Sequence, residues 1–132
     1  MRRTTISILI GCLLLLALPA QADDTSVYSG SPAGTVLAIS SRRCVFSSIQ
    51  FLNTTAAVGY LQIFNLPAAS VTIGTTAPVA SFGVPASGSV FVSFPNGGWI
   101  VGGSGCSVAG TTSRAGSTGA AQDTNIVYSE RQ

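Results

Sequence analysis

The sequence contains no histidine and no lysine, and its charged side chains number only six basic and four acidic residues. Without histidine, neither a serine nor a cysteine can be paired with an imidazole base, and no imidazole can bind a metal. Without lysine, the chain cannot form a P-loop of the usual Gly-Lys-Ser/Thr type. The composition therefore predicts a protein that is not an enzyme, with no catalytic residues, no cofactor and no metal site.

Charge is also scarce once the first residues are set aside. The formal net charge of +2 comes from Arg2 and Arg3, because the four later arginines are matched by the four carboxylates. Nucleic-acid binding requires a basic stripe, which this sequence lacks, so no nucleic-acid partner is expected. A nearly uncharged surface lacks the repulsion that keeps copies of a protein apart, so self-association is tolerated.

The first 22 residues have the pattern of a secretory signal peptide. Two arginines precede an apolar run, ISILIGCLLLLAL, that is too short for a comfortable membrane span. Ala20 and Ala22 supply the small residues expected before a cleavage site. We expect cleavage after Ala22, no stable membrane span afterwards, and export to the periplasm, the cell surface or the medium. Two alternatives are a retained membrane anchor and lipoprotein cleavage before Cys12.

Two cysteines, Cys44 and Cys106, lie beyond the predicted cleavage site. Export would place them in an oxidising compartment, where a disulfide persists. A small domain gains a large share of its stability from such a bond, because the bond restricts the unfolded chain. We therefore predict a Cys44–Cys106 disulfide, with two buried free thiols as the alternative.

After a polar segment, 23–34, that predicts a flexible leader, the chain alternates short apolar stretches with turn residues. Apolar side chains recur at period two, as in Cys44–Asn53 and in Ser89–Phe94, and no segment has helical period. This pattern predicts an all-β fold for 35–132, a single small β-sandwich of the immunoglobulin-like or jelly-roll-like kind with about seven strands. The other expected strands are Thr35–Ser40, Tyr60–Asn65, Val79–Val84, Trp99–Val101 with a continuation to Val108, and Asn125–Tyr128, with a short edge strand at Val71–Ile73.

The stretch NGGWIVGGSGC, residues 96–106, has five glycines but the wrong context for a nucleotide site. A dinucleotide fingerprint needs a third glycine where Val108 stands, followed by a helix that the pattern does not predict. A nucleophile elbow centred on Ser104 would need a glycine at Cys106 and a histidine elsewhere. We interpret 95–98 as a hairpin turn, and the later glycines as a bulge or a close-packing zone before Cys106.

Four residues are candidates for binding. Trp99 and Tyr60 would offer aromatic platforms for a sugar or a protein partner, or would fill the core of the sandwich. Arg42 and Arg43 would bind a carboxylate or phosphate, or would line a solvated strand edge. Asn53-Thr54-Thr55 matches a glycosylation sequon, which we interpret as a chain turn.

The block from Asn53 to Phe94 resembles a module of small tailed-phage and prophage proteins. The matching positions are Asn53, Thr54, Tyr60-Leu61-Gln62-Ile63-Phe64-Asn65, Pro67, Gly74-Thr75, Pro78, Phe82, Val84-Pro85, Gly97-Gly98 and Asp123. The resemblance covers about residues 43–128. It implies a β-domain with a structural role, associated with the virion or its tail, and it carries no catalytic residues. The signal peptide departs from that family and leaves room for a cell-surface or secreted use of the same module.

These patterns together predict an exported, non-catalytic structural or surface interaction module. The expected partner is a second copy or another structural protein, through self-assembly or attachment to a larger particle, with virion association as one setting. The alternative is a secreted module that binds a surface glycan or a receptor through Trp99 and 102–124.

Overall fold

The computed structural model describes residues 25–101, 103–120 and 122–131, and within them the fold is all-β, as predicted. The predicted signal peptide and Cys12 lie outside the described residues. Nine strands are present: β1 Thr25–Gly30, β2 Leu37–Ser40, β3 Arg43–Asn53, β4 Gly59–Phe64, β5 Ala80–Val84, β6 Ser89–Ser93, β7 Trp99–Val101, β8 Cys106–Thr111 and β9 Gln122–Arg131. A single 3₁₀ turn at Ala68–Ser70 follows β4. No helix in the described part of the chain is long and apolar enough to cross a membrane.

The strands form two antiparallel sheets. Sheet A has the order β1-β9-β3-β6, with β7 also paired to β3, and sheet B has the order β2-β8-β4-β5. The early strands pair with the late strands in reverse order: β1 with β9, β2 with β8, β3 with β6 and β7, and β4 with β5. This is the pairing of one long hairpin rolled into two layers, which is the jelly-roll arrangement.

Strand β3 shows how the sequence builds the core. Cys44, Phe46, Ile49 and Phe51 point inward and are all fully buried. The inward-facing residues are two apart elsewhere in β3 but three apart between Phe46 and Ile49. Ser47 is the extra residue of a β-bulge, at which the register of β3 against β9 shifts. Each buried phenylalanine or isoleucine stabilises the fold by about 1.5–3 kcal/mol. The bulge therefore keeps apolar side chains inward on both sides of Ser47.

The structure contains the predicted disulfide. Cys44 on β3 and Cys106 on β8 are bonded, with Cα atoms 6.2 Å apart, and both residues are completely buried. Since β3 belongs to sheet A and β8 to sheet B, the bond joins the two layers.

The predicted strand count and several boundaries were wrong. The segment predicted as a flexible leader contains β1, and the described residues hold nine strands rather than about seven. Strand β1 has only two large side chains, Val27 and Tyr28, and they are adjacent in sequence, so its local pattern is weak and its order comes from pairing with β9. The expected edge strand at Val71–Ile73 is absent; a turn closes there instead, with Thr76 N donating to Thr72 O at 2.8 Å.

The predicted continuous strand from Trp99 to Val108 is two strands in different sheets. Strand β7 pairs with β3 in sheet A, and β8 pairs with β2 and β4 in sheet B. The chain changes sheet between Val101 and Cys106. There Gly105 has a φ of 149°, and a Cβ on it would lie 2.9 Å from the nitrogen of Pro67. Close backbone approach thus explains one of the glycines in this stretch.

The turn at 95–97 is not a hairpin. Strands β6 and β7 both run antiparallel to β3, so they are two parts of one interrupted edge strand. Phe94 N donates to Ser47 O at 2.9 Å, after which the loop leaves the sheet and returns at Gly98. Asn96, Gly97 and Gly98 have φ values of 60°, 92° and 84°, which carry the chain through this outward loop.

Candidate interaction surface

The outer face of sheet B is covered by the chain's own loops. The Gln62 amide donates to three carbonyls of the 112–118 loop, at 3.2 Å to Arg114 and to Gly116 and at 3.4 Å to Ser113. On the neighbouring strand, Ser107 Oγ donates to Leu66 O at 2.9 Å. These polar side chains are buried although they point away from the core. The outer side of the two central strands of sheet B, β4 and β8, is therefore shielded around Gln62 and Ser107.

The outer face of sheet A, in contrast, presents apolar side chains to solvent. Val27 and Phe91 are each 66% exposed, Ile100 is 48% exposed and Leu52 is 44% exposed. We call these four residues the open face. Leu52 and Phe91 occupy diagonal positions on adjacent strands, where side chains of this size can touch.

The open face has almost no charge. The cross-strand row that contains Phe91 continues through Gln50 and Asn125 to Ser29, all uncharged. Two exposed charged residues lie at opposite ends of this side of the sheet: Asp123, opposite Leu52, and Arg43, which precedes the inward Cys44 at the start of β3. Exposed apolar groups gathered on one face of a small domain mark a site of association. The alternation that turns Val90 and Val92 inward predicts that Phe91 points outward, whereas its exposure depends on whether a loop covers this side of sheet A.

Trp99, a predicted binding residue, lies on the inner side of sheet A. Its ring is 5.9 Å from that of Phe46 and 6.3 Å from that of Phe82, both in edge-to-face geometry, and 5.4 Å from that of Phe94. Since Phe82 belongs to β5, this cluster closes the side of the sandwich where β7 and β5 face each other. Trp99 is only partly buried, but its ring is held among core side chains.

Tyr60, the second predicted aromatic, lies in the other layer. It is half-buried on the outer side of sheet B, with its ring over Gly83, where a Cβ would lie 3.4 Å from Tyr60 Cε1. Trp99 and Tyr60 are thus on different sheets and do not form a shared platform. The arrangement does not support a glycan site built from the two.

Arg42 and Arg43 lie at the connection from β2 to β3, at the disulfide end of the sandwich. Arg42 Nη1 is 3.8 Å from Glu130 Oε2, and both side chains are largely solvated, so the pair contributes little stability. Glu130 also accepts a hydrogen bond from Ser40 Oγ. An anionic ligand at Arg42 would have to compete with this carboxylate. Arg43 is exposed and lies apart from both aromatic candidates.

The sequon residue Asn53 is fully buried, which sequence reasoning missed. Its Nδ2 donates to the carbonyls of Ala57, Val84 and Pro85 at 2.7, 3.2 and 3.0 Å, and its Oδ1 accepts from Thr55 N at 3.0 Å and Thr55 Oγ1 at 2.7 Å. One side chain therefore ties the β3–β4 turn to the end of β5. The Asn-x-Thr pattern is typical of such a turn as well as of a sequon.

The contact between β1 and β9 leaves polar atoms unpaired. Tyr28 Oη and Thr124 Oγ1 are buried and have no hydrogen-bond partner among the described residues. Both lie beside Gly30, which pairs with Thr124 and whose Cβ, if present, would meet the Tyr28 hydroxyl. Burial raises the pKa of the Tyr28 phenol above its ordinary value. Hydrogen bonding is thus less complete on the inner side of the β1–β9 pair than in the rest of the core.

Within the described residues, no three acidic or cysteine side chains form a group that could hold a metal ion. No family model matches the chain, and no curated protein matches its sequence. Among solved structures, the chain is similar to a protein described by the words "Bacillus endospore appendages form a novel family of disulfide-linked pili". The two share 14% sequence identity over 83% of this chain and 87% of that chain, with a TM-score of 0.39. At that identity and TM-score the two chains need not share topology or function.

Proposed function

We propose that this chain is an exported, non-catalytic structural module that self-associates through the open face. The observation that carries this proposal is the contrast between the two sheets: loops of the chain cover the outer side of sheet B, whereas sheet A leaves Val27 and Phe91 two-thirds exposed. Since folding alone does not cover these side chains, association with a second surface would remove them from water.

The electrostatics support a second copy as the partner. Two copies of a strongly charged face repel each other, whereas the open face is built from aliphatic, aromatic and uncharged polar groups. Two such faces can meet without burying unpaired charges, provided that Asp123 and Arg43, at opposite ends of β3, stay at the rim. The disulfide supports the predicted export, because such bonds persist in oxidising compartments. Descent from a phage β-domain and attachment to a virion stay predictions from the sequence.

The test is the size of the assembly in solution. Sedimentation velocity over a range of concentrations and negative-stain microscopy would compare the mature chain with Phe91→Lys and Val58→Lys. Val58 is a matched control, since it is 50% exposed but lies in the turn between β3 and β4, away from sheet A. We expect oligomers of the unaltered chain and of Val58→Lys, and a monomer for Phe91→Lys. A monomeric unaltered chain, or equal behaviour of the two variants, would contradict the proposal.

A further inference from the structure

The first described strand, β1, is attached to the fold along one side only. It pairs with β9 from Thr25–Ser129 to Gly30–Thr124, and its other edge pairs with no described strand. Among the described residues a single connection, 31–36, joins β1 to the other strands. In the rolled hairpin, β1 and β9 are the outermost pair, so β1 can leave without breaking any other strand pairing.

Few side-chain interactions hold β1 in place. Tyr28 is its one large inward side chain, and Val27 and Ser29 point outward to solvent. Ser29 Oγ donates to Asn125 Oδ1, but this hydrogen bond is exposed. The two unpaired hydroxyls of Tyr28 and Thr124 both lie on the inner side of this strand pair. Since leaving buried hydroxyls unpaired is costly, separation of β1 is among the cheaper local openings of the molecule.

The other edge strands of the two sheets are less suited than β1 to pair with a strand of another copy. Strand β2 is four residues long with an irregular register, and the β6–β7 edge is interrupted by the 95–97 loop. Strand β5 is followed at once by Pro85 and preceded closely by Pro78. Short, bulged or proline-flanked edges resist pairing with another chain. Once β1 leaves, β9 would expose a regular edge, and the segment that fits it in register is another β1.

A short hinge separates β1 from the anchored part of the connection. Pro32 is buried, and Gly34 N donates to Gly110 O at 3.1 Å, so the chain beyond Pro32 is fixed to β8. Only the exposed Ser31 lies between Gly30, the last residue of β1, and this anchor. A glycine tolerates a large change of backbone direction. Short hinges beside a terminal element favour exchange of that element between identical copies.

We infer that β1 is an exchangeable strand: in the assembly, β1 of one copy of this chain pairs with β9 of a second copy. This inference rests on the proposed self-association and names the strand that connects the copies. Exchange forms the same β1–β9 register between two copies. Val27 is the one residue of the open face that moves with β1, so the other three stay available for contacts between faces. Contacts of the open face bring the copies together and the exchanged strand then connects them, so Phe91→Lys is expected to prevent both steps.

The test uses pairs of single-cysteine variants. Val27 and Ser48 are both direct cross-strand neighbours of Val127, on β1 and on β3 respectively. Val27→Cys is coexpressed with Val127→Cys, and in parallel Ser48→Cys with Val127→Cys; after oxidation, linked peptides are identified by mass spectrometry without reduction. Each chain carries only one added cysteine, so a disulfide between positions 27 and 127 must join two chains. The native disulfide is fully buried and is expected to stay intact.

We expect the yield of disulfide-linked peptides between positions 27 and 127 to be well above the yield from random collisions. The yield between positions 48 and 127 should show no such excess. Equal yields in the two mixtures, or no linkage, would overturn the inference. The double variant Val27→Cys/Val127→Cys gives a second readout. A disulfide within one chain would hold β1 against β9 of the same chain, and this should reduce assembly. Oligomers by sedimentation without linkage between positions 27 and 127 would refute strand exchange alone, whereas monomers throughout would refute the proposed self-association as well.

Discussion

Cys44 on β3 and Cys106 on β8 are bonded across the interior of the sandwich, at a sequence separation of 62 residues. Closing a loop of that length in the unfolded chain contributes about 4 kcal/mol of stability in the chain-entropy model. The double variant Cys44→Ala/Cys106→Ala should therefore lower the free energy of unfolding by about that amount, as measured by urea denaturation. A loss under about 1 kcal/mol would show that the bond adds little to the packing around it.

Because both sulfurs are buried, the native disulfide should also resist mild reductants until the domain unfolds. Thiol labelling after incubation with reductant, with and without urea, checks this expectation. Rapid labelling of folded protein would mean that the end of the sandwich near Arg42 opens readily.

Sequence patterns predicted the parts of the fold that depend on local alternation. Ser89–Phe94 and Cys44–Asn53 alternate strongly, and both are strands close to their expected bounds. Strand β1 was missed because four of its six residues are small or polar and Val27 and Tyr28 form no repeating pattern, so that its order depends on β9, about 100 residues away in the chain. The crossing between β7 and β8 was missed because a glycine-rich segment fits a bulge as well as a change of sheet.

The candidate site was predicted less well than the fold, for a related reason. The aromatic side chains of Trp99 and Tyr60 suggested a binding role. Their actual roles depend on the sheet and the side of the sheet on which each lies, and no local sequence pattern specifies that. Phe91 was assigned to a strand, yet its exposure follows from the absence of a loop over sheet A. Coverage of a face is a tertiary property, which explains why sequence reasoning found the strands but not the open face.

A buried asparagine provides the third prediction. Asn53→Asp replaces an amide donor that serves three carbonyls with an oxygen that can only accept when ionised. We expect a loss of about 3 kcal/mol or more at neutral pH, since several groups lose their partners together. Asn65→Asp is the control, because Asn65 is exposed, and it should change stability very little. Similar losses for the two variants would contradict the role assigned to Asn53.

The 95–98 loop offers a comparison of two adjacent glycines, both with positive φ. A Cβ on Gly97 would meet nothing within 4 Å, whereas a Cβ on Gly98 would lie 2.7 Å from both Phe46 O and Val45 Cγ1. Gly97→Ala should cost about 1–2 kcal/mol from backbone strain alone. Gly98→Ala should cost clearly more, because β3 must also move away. Urea denaturation of the pair measures the difference, and equal losses would mean that the loop relaxes freely from the sheet.

The last prediction concerns the Tyr28 hydroxyl at the β1–β9 contact. Burial raises its pKa in the folded protein, so above the ordinary tyrosine pKa of about 10 the unfolded chain loses this proton while the folded chain keeps it. Stability should therefore be full below that pH and fall as the pH rises further. Tyr28→Phe should lessen the alkaline loss and, by removing an unpaired hydroxyl, gain about 1 kcal/mol near neutral pH. Urea midpoints measured across the alkaline range for both proteins would reveal this; parallel curves would show that Tyr28 ionises freely, and hence that β1 does not shield its side chain.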